Sequence, residues 1–223
     1  MSSQLPPPAD PEIALSISYA PVGRRAGLTA LWALDAQLGA TLRQAKDPMV
    51  ARLRLTWWYE ALGRLDTAPP PAQPLLAALA ETLLPHGVRG QALAAMTDGW
   101  EALLLPDPLG DEALADYARG RGALFALAGD LLGAASDPLV AAGQGWALID
   151  LAAHVRAPDV ALRARALAAP LLAEALAPRW RSAGRPMGAI AALAARDLRR
   201  RDREPKGAPG RVLRMLRHRI TGR

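Results

Sequence analysis

Ala and Leu recur at every third or fourth position along this chain, interleaved with Arg, in runs that Pro and Gly interrupt. Spacing of that kind sets apolar side chains on one face of a helix. The alternation of β-branched and aromatic residues that builds half-buried strands is almost absent. The pattern predicts an all-α chain. Helices are expected over residues 24–42, 48–65, 73–84, 90–105, 111–132, 138–155, 158–176 with a break at Pro170, 187–201 and 210–219. Asp47 before Pro48, and Asp137 before Pro138, each set a capping carboxylate ahead of a proline whose missing N–H is no loss in a first helical turn. Residues 67–72, 106–110 and 178–186 read as short loops. At 223 residues the chain is long enough for one sizeable core, so a single-domain bundle is expected over 21–202. Around it lie a flexible, Pro-rich lead-in over 1–20 and a basic tail helix over 203–223.

The formal net charge of +6 concentrates in that tail and in a second arginine cluster over 199–203. A terminus of this kind is either simply solvated or touches an acidic surface. The absence of cysteine excludes a disulfide framework, a thiolate metal site and a Cys nucleophile, and fits a cytoplasmic home. No apolar run reaches the roughly 18 residues of a spanning helix, so any membrane contact is expected to be peripheral, at the inner membrane face. The candidate is the tail helix, where Val212, Leu213, Leu216 and Ile220 lie among arginines. The arginine clusters lack the interleaved aromatics of a stacking platform, so nucleic acid is not an expected partner.

Some charged residues fall where periodicity demands apolar ones. Leu28, Leu31, Asp35, Leu38 and Leu42 form one stripe, with Asp35 in its middle. Leu114, Tyr117, Arg121, Phe125, Ala128 and Leu132 form a second, which turns Arg121 inward. Leu139, Gly143, Trp146, Asp150 and His154 form a third, with Asp150 and His154 one turn apart and able to pair. Arg54 sits among Val50, Trp57, Trp58, Ala61 and Leu65, within reach of a cation–π contact with Trp58. Unpaired interior charge is costly, so Arg54 and Arg121 are expected to meet Asp35 and Asp150 inside the bundle. Two readings stay open: a polar pocket for a charged ligand, or structural salt bridges with outward-snorkelling arginines. Trp32, Trp57, Trp58, Trp100 and Trp146 read as helix-contact residues, and Trp180, in a Pro- and Arg-rich loop, as a surface cover. His86 and His218 lack the neighbours of a metal site, and Ser16 and Ser18 lack a nearby base.

The run Ala30-Leu31-Trp32-Ala33-Leu34-Asp35, followed by Arg52-Leu53-Arg54-Leu55-Thr56-Trp57-Trp58-Tyr59-Glu60-Ala61-Leu62, resembles the opening of the squalene/phytoene synthase family. Gly99-Trp100-Glu101-Ala102-Leu103, Tyr117-Ala118-Arg119-Gly120-Arg121-Gly122-Ala123-Leu124-Phe125 and Gly145-Trp146-Ala147-Leu148 are similar to its successive helices, in the right order, over about residues 21–176. The resemblance implies an isoprenoid synthase fold, here shortened at its C-terminal end. Active members join two prenyl diphosphates, with Mg²⁺ held by two aspartate-rich motifs. In this sequence Gly39 and Arg43 occupy the positions of the first motif's aspartates, and the stretch over 152–159 replaces the second.

A scaffold without those motifs is similar to the branch that includes a mitochondrial complex I assembly factor. The resemblance therefore implies a non-catalytic accessory or assembly role with a protein partner, or a binder of an isoprenoid-like ligand, with no cofactor and no metal. Arg54, Arg121, Trp58, Tyr117, Phe125, Trp146 and His154 are its candidate ligand-binding residues, around a cavity walled by Leu28, Leu31, Phe125 and Trp146. The alternative is an active prenyltransferase in which Asp35 and Asp150, the candidate catalytic residues, each give one carboxylate to Mg²⁺.

Overall fold

A computed structural model describes residues 5–104, 109–200 and 203–223. Proline opens many of its helices. α1 (Pro11–Ser18) starts behind Asp10, whose carboxylate accepts the Glu12 amide at 2.9 Å. α2 spans Val22–Gln44, and α3 (Pro48–Gly63) starts behind Asp47, which accepts the Met49 amide at 2.8 Å as expected. α4 (Pro74–Thr82) is capped by Gln73, and α5 (Gly90–Ala94) by Asp66, whose two oxygens accept the Gly90 and Gln91 amides at 2.6 and 3.0 Å. Those two bonds hold the Asp66 carboxyl below its ordinary range. α6 (Met96–Glu101), α7 (Asp111–Leu132), α8 (Leu139–His154), α9 (Pro158–Leu176), α10 (Arg185–Leu198) and α11 (Pro209–Thr221) complete the chain. No strand occurs among the described residues, so the fold is all-α.

One contiguous apolar core runs from Ile17 to Met215 and draws on every part of the bundle. α7 and α8 lie at its centre, packed on each other, with α6 and α2 against α7, and α9 and α10 against α8. Two glycine contacts permit this. A Cβ on Gly122 would lie 2.6 to 2.9 Å from the backbone of Gly143 and Gln144 in α8, and a Cβ on Gly99 would strike the Arg121 amide of α7 at 2.5 Å. Helices that close meet backbone to backbone, and Arg121, set between Gly120 and Gly122, is carried into the middle of the bundle.

Several expectations are corrected. The stretch expected as one helix from residue 90 is two short ones, α5 and α6, followed by a 3-10 turn. Asp137 does not cap α8, which begins at Leu139; its Oδ1 instead accepts the Arg181 amide at 2.9 Å, tying the α9–α10 connection to the start of α8. Pro170 does not break α9, because it and Ala166, whose carbonyl it deprives of an amide, lie on the exposed side. The lead-in does not stand apart from the bundle from Pro11 on, since α1 packs on α10. Nor is 203–223 a tail: α11 packs on α10 and buries Arg211, Met215 and His218. The expected helix ends at 105 and 201, the loop over 106–108, the boundary at 202 and the first four residues lie outside the described residues.

Trp180 reverses its expected place. It is 1% exposed, donates its indole N–H to the Ala175 carbonyl at 2.8 Å, and gives its amide to Gly222 at 2.9 Å. The end of α11 folds over it, and Arg179 and Arg185 donate to the last carbonyls of that helix. Trp57 makes the opposite change: it is 48% exposed, with Trp58 taking the inward place.

Candidate functional site

Arg121 is the centre of the interior charge. Its Nε and Nη2 form a two-pronged pair with Asp35 of α2 at 2.8 and 3.0 Å, and its Nη1 donates to Asp150 of α8 at 2.7 Å and to the Tyr117 hydroxyl at 2.6 Å. Its guanidinium carbon also lies 4.4 Å from the Trp146 ring centre and 4.8 Å from that of Trp100. A planar fork that meets a carboxylate with two parallel bonds and stacks on aromatic faces is chemistry lysine cannot supply.

The electrostatics follow from this geometry. Burial would weaken the positive charge of Arg121, but Asp35, Tyr117 and Asp150 outweigh it and hold the guanidinium charged. Burial would likewise raise the Asp150 carboxyl; the charge and hydrogen bond of Arg121, with His154 and Arg203, win and keep it below the usual carboxylate range. Burial pushes the Tyr117 phenol up to about 12, so it stays a neutral acceptor for Arg121. His154 and Asp150 pair as expected, with Nδ1 2.7 Å from the Asp150 carbonyl and 3.7 Å from its carboxylate, on the exposed end of α8.

Arg54 does not join them. The inward row of α3 is Ala51, Leu55, Trp58, Ala61 and Leu62; Arg54 lies at its margin with an exposed side chain. Apolar Val50, Leu53 and Trp57 on the outer side blurred that row in the sequence. The cation–π partner of Trp100 and Trp146 is Arg121, while Trp58 packs in the core and against the edge of Trp57 at 5.0 Å.

The cluster opens on a cavity of about 870 Å³. Trp32, Trp100, Trp146, Ile149, Ile190 and Leu193 form its apolar walls; Asp35, Arg121 and Asp150 also face it. The expected walls are corrected: of the four named, only Trp146 lines it. Leu28, Leu31 and Phe125 are at most 1% exposed in solid core, where Phe125 stacks on Trp146 at 5.4 Å. Trp58, Tyr117 and Arg54 do not line it either, whereas His154 does.

The opposite side of the cavity belongs to residues the sequence did not single out. Glu12 of α1 accepts from Arg211 of α11 and from the Gly207 amide, and Asp197 of α10 accepts from Arg211 and, at 3.1 Å, pairs with Arg203. Arg203 also reaches Asp150 at 3.9 Å, and Lys206 bonds Asp10. Two signals were present: Asp10-Pro11 repeats the helix-start pattern of Asp47-Pro48, and Asp197 continues the apolar row of Ile190 and Leu193. Residues 6–13 pass along the cavity as part of its lining.

The residues present do not fit Mg²⁺. Gly39 offers no donor and faces the Trp100 ring, Arg43 is a cation, and both oxygens of Asp35 accept from Arg121, which Asp150 shares. Among the described residues no cluster of three or more carboxylates or histidines is placed to hold a metal. The pair that the enzyme alternative would bring to a shared ion is joined by a guanidinium.

Residues 7–167 match the sequence profile of the squalene/phytoene synthase family. No curated protein and no solved structure matches the chain. The profile covers well over half of the 223 residues and contains Asp35, Arg121 and Asp150. The chain belongs to the squalene/phytoene synthase family.

Proposed function

We propose that this chain is a non-catalytic member of the family which holds an isoprenoid-like ligand in the tryptophan-walled cavity, in an accessory role. The observation that carries the reading is the bonding of Arg121 to both Asp35 and Asp150, which commits the two facing carboxylates to an internal cation. In such a role the ligand, or a protein partner that senses it, takes the place of turnover. The cavity volume lies within the range of small-molecule sites and its walls are largely aromatic and aliphatic.

The lining also favours an uncharged head on that ligand. Five carboxylates face five Lys and Arg side chains across it, and each carboxylate accepts from one of them. A diphosphate finds no excess positive charge there. Among the described residues, the buried atoms of its walls without a hydrogen-bond partner are the indole N–H of Trp32 and of Trp100. A single hydroxyl or carbonyl oxygen answers such donors.

The test pairs two assays on purified protein. Farnesyl and geranylgeranyl diphosphate with Mg²⁺ or Mn²⁺ should release no pyrophosphate, while farnesol should shift or quench tryptophan emission. Release abolished by both Asp35→Ala and Asp150→Ala would overturn the proposal in favour of a prenyltransferase with rearranged ligands. Absence of any emission change with either prenyl alcohol or diphosphate would remove the ligand.

A further inference from the structure

α11 turns a mostly polar face into the bundle and leaves an apolar stripe outside. Arg211, Met215 and His218, all at most 1% exposed, point inward with Gly222. On the far side Leu213 is 67% exposed, Leu216 39% and Ile220 71%. At the helical rotation these three fall within a narrow arc opposite the inward row. Arg217 flanks that arc on one side, with the half-buried Arg214 beyond it, and Arg219 on the other, and the helix contains no acidic residue. Arg199, exposed at the end of α10, adds its charge close to Arg214.

The helix is held in this orientation independently of any partner. Arg211 is bonded to Glu12 and Asp197, Arg219 lies over the Tyr19 ring at 4.7 Å, and Arg179 and Arg185 tie down the C-terminal carbonyls. The outward stripe is therefore a fixed surface feature. A bilayer rich in acidic lipid is uniformly anionic at its surface and apolar just beneath, which matches charge of one sign beside apolar side chains. Here the exposed charge on the helix is of one sign, in rows beside a short apolar ridge.

From this geometry we infer that the outer face of α11 docks on an anionic lipid bilayer surface. Leu213, Leu216 and Ile220 enter the headgroup region, and the flanking arginines meet the lipid phosphates. No helix of the described residues is long and apolar enough to cross a membrane, so the contact is peripheral. The inference stands apart from the ligand reading, because it uses none of the cavity residues except Arg211, which faces inward.

The test is flotation of the full chain with phosphatidylcholine vesicles, with and without phosphatidylglycerol, at low and high salt. Binding should require the anionic lipid and fall as salt screens it. Joint substitution Leu213→Ser, Leu216→Ser and Ile220→Ser should weaken it about tenfold or more. Arg217→Glu should weaken it as well. These side chains are exposed, so both variants should unfold at the wild-type temperature, which separates lost docking from lost fold. No flotation of the folded chain on anionic vesicles, or equal flotation of the triple variant, would overturn the inference. So would a solution dimer that the triple substitution dissolves, which would assign the stripe to a second copy.

Discussion

Arg121 and His218 are both buried, yet they answer the cost of burying a titratable group in opposite ways. Arg121 keeps its charge because two carboxylates, a phenol and two indole rings surround it. His218 is fully buried, lies edge-on to Trp180 at 5.8 Å, and among the described residues has no hydrogen-bond partner at either ring nitrogen. Burial first, then the nearby charges of Arg214 and Arg185, push its imidazole down to about 4. The unfolded chain's imidazole titrates near the ordinary value of 6.5, so between 6.5 and 4 the unfolded state binds more protons. Stability is flat above that window and falls as pH drops through it, by about 3 kcal/mol if the whole difference is expressed. Urea unfolding from pH 7 to pH 4 should show this slope, and His218→Leu should flatten it. An unchanged slope in the variant would mean other groups govern acid sensitivity. Spacing along the chain could not reveal this burial, because the cover over Trp180 and His218 is built from two segments about 40 positions apart.

At the level of the helices, most of the architecture could be read from spacing. The inward rows of α2 and α7 follow the stripes expected, while the third stripe is buried only at Leu139 and Gly143, turns to the cavity at Trp146 and Asp150, and leaves His154 exposed; Asp35, Arg121 and Asp150 pair through the bundle. What failed was phase or long-range contact. α3 has apolar residues on both sides, so its inward row could not be told from its outer one, and Arg54 was placed inside. Asp137 has a cap's position in sequence but a tertiary partner in Arg181. The glycines beside Arg121 looked ordinary in the sequence, and only the approach of α6 and α8 gives them meaning. Gly122→Ala sets a favourable helix propensity, up to about 1 kcal/mol, against a methyl driven into the α8 backbone, typically about 1–3 kcal/mol. Backbone cannot move aside as a side chain can, so net destabilisation is expected. Gly23→Ala in α2, where nothing lies within 4 Å, should instead be neutral or slightly stabilising. Thermal unfolding of the pair checks this, and equal effects at both sites would mean that α7 and α8 do not depend on their close contact.

Across the whole molecule, the two ends of the chain are joined over the cavity. Arg211 of α11 sits between Glu12 of α1 and Asp197 of α10, and Lys206 with the Gly207 amide binds the same N-terminal stretch at Asp10 and Glu12. Arg211 and Glu12 are 1% and 4% exposed, so this is a buried ion cluster and not a surface pair. Removing one partner of such a cluster leaves carboxylates without compensation and costs on the order of 3–5 kcal/mol. Arg211→Ala should therefore loosen α1 and α11 together, although they stand at opposite ends of the sequence, while α7 and α8, joined through glycine contacts and Arg121, keep their protection. Amide hydrogen exchange resolves this by region: joint loss in 11–18 and 209–221 with α7 unchanged is expected. Loss confined to α11 would show that α1 is held by its apolar contacts with α10 alone. Since residues 6–13 and Arg211 both line the cavity, the same variant should also take up farnesol faster than the wild type if the joined termini govern entry. Equal uptake rates would place the route elsewhere in the bundle.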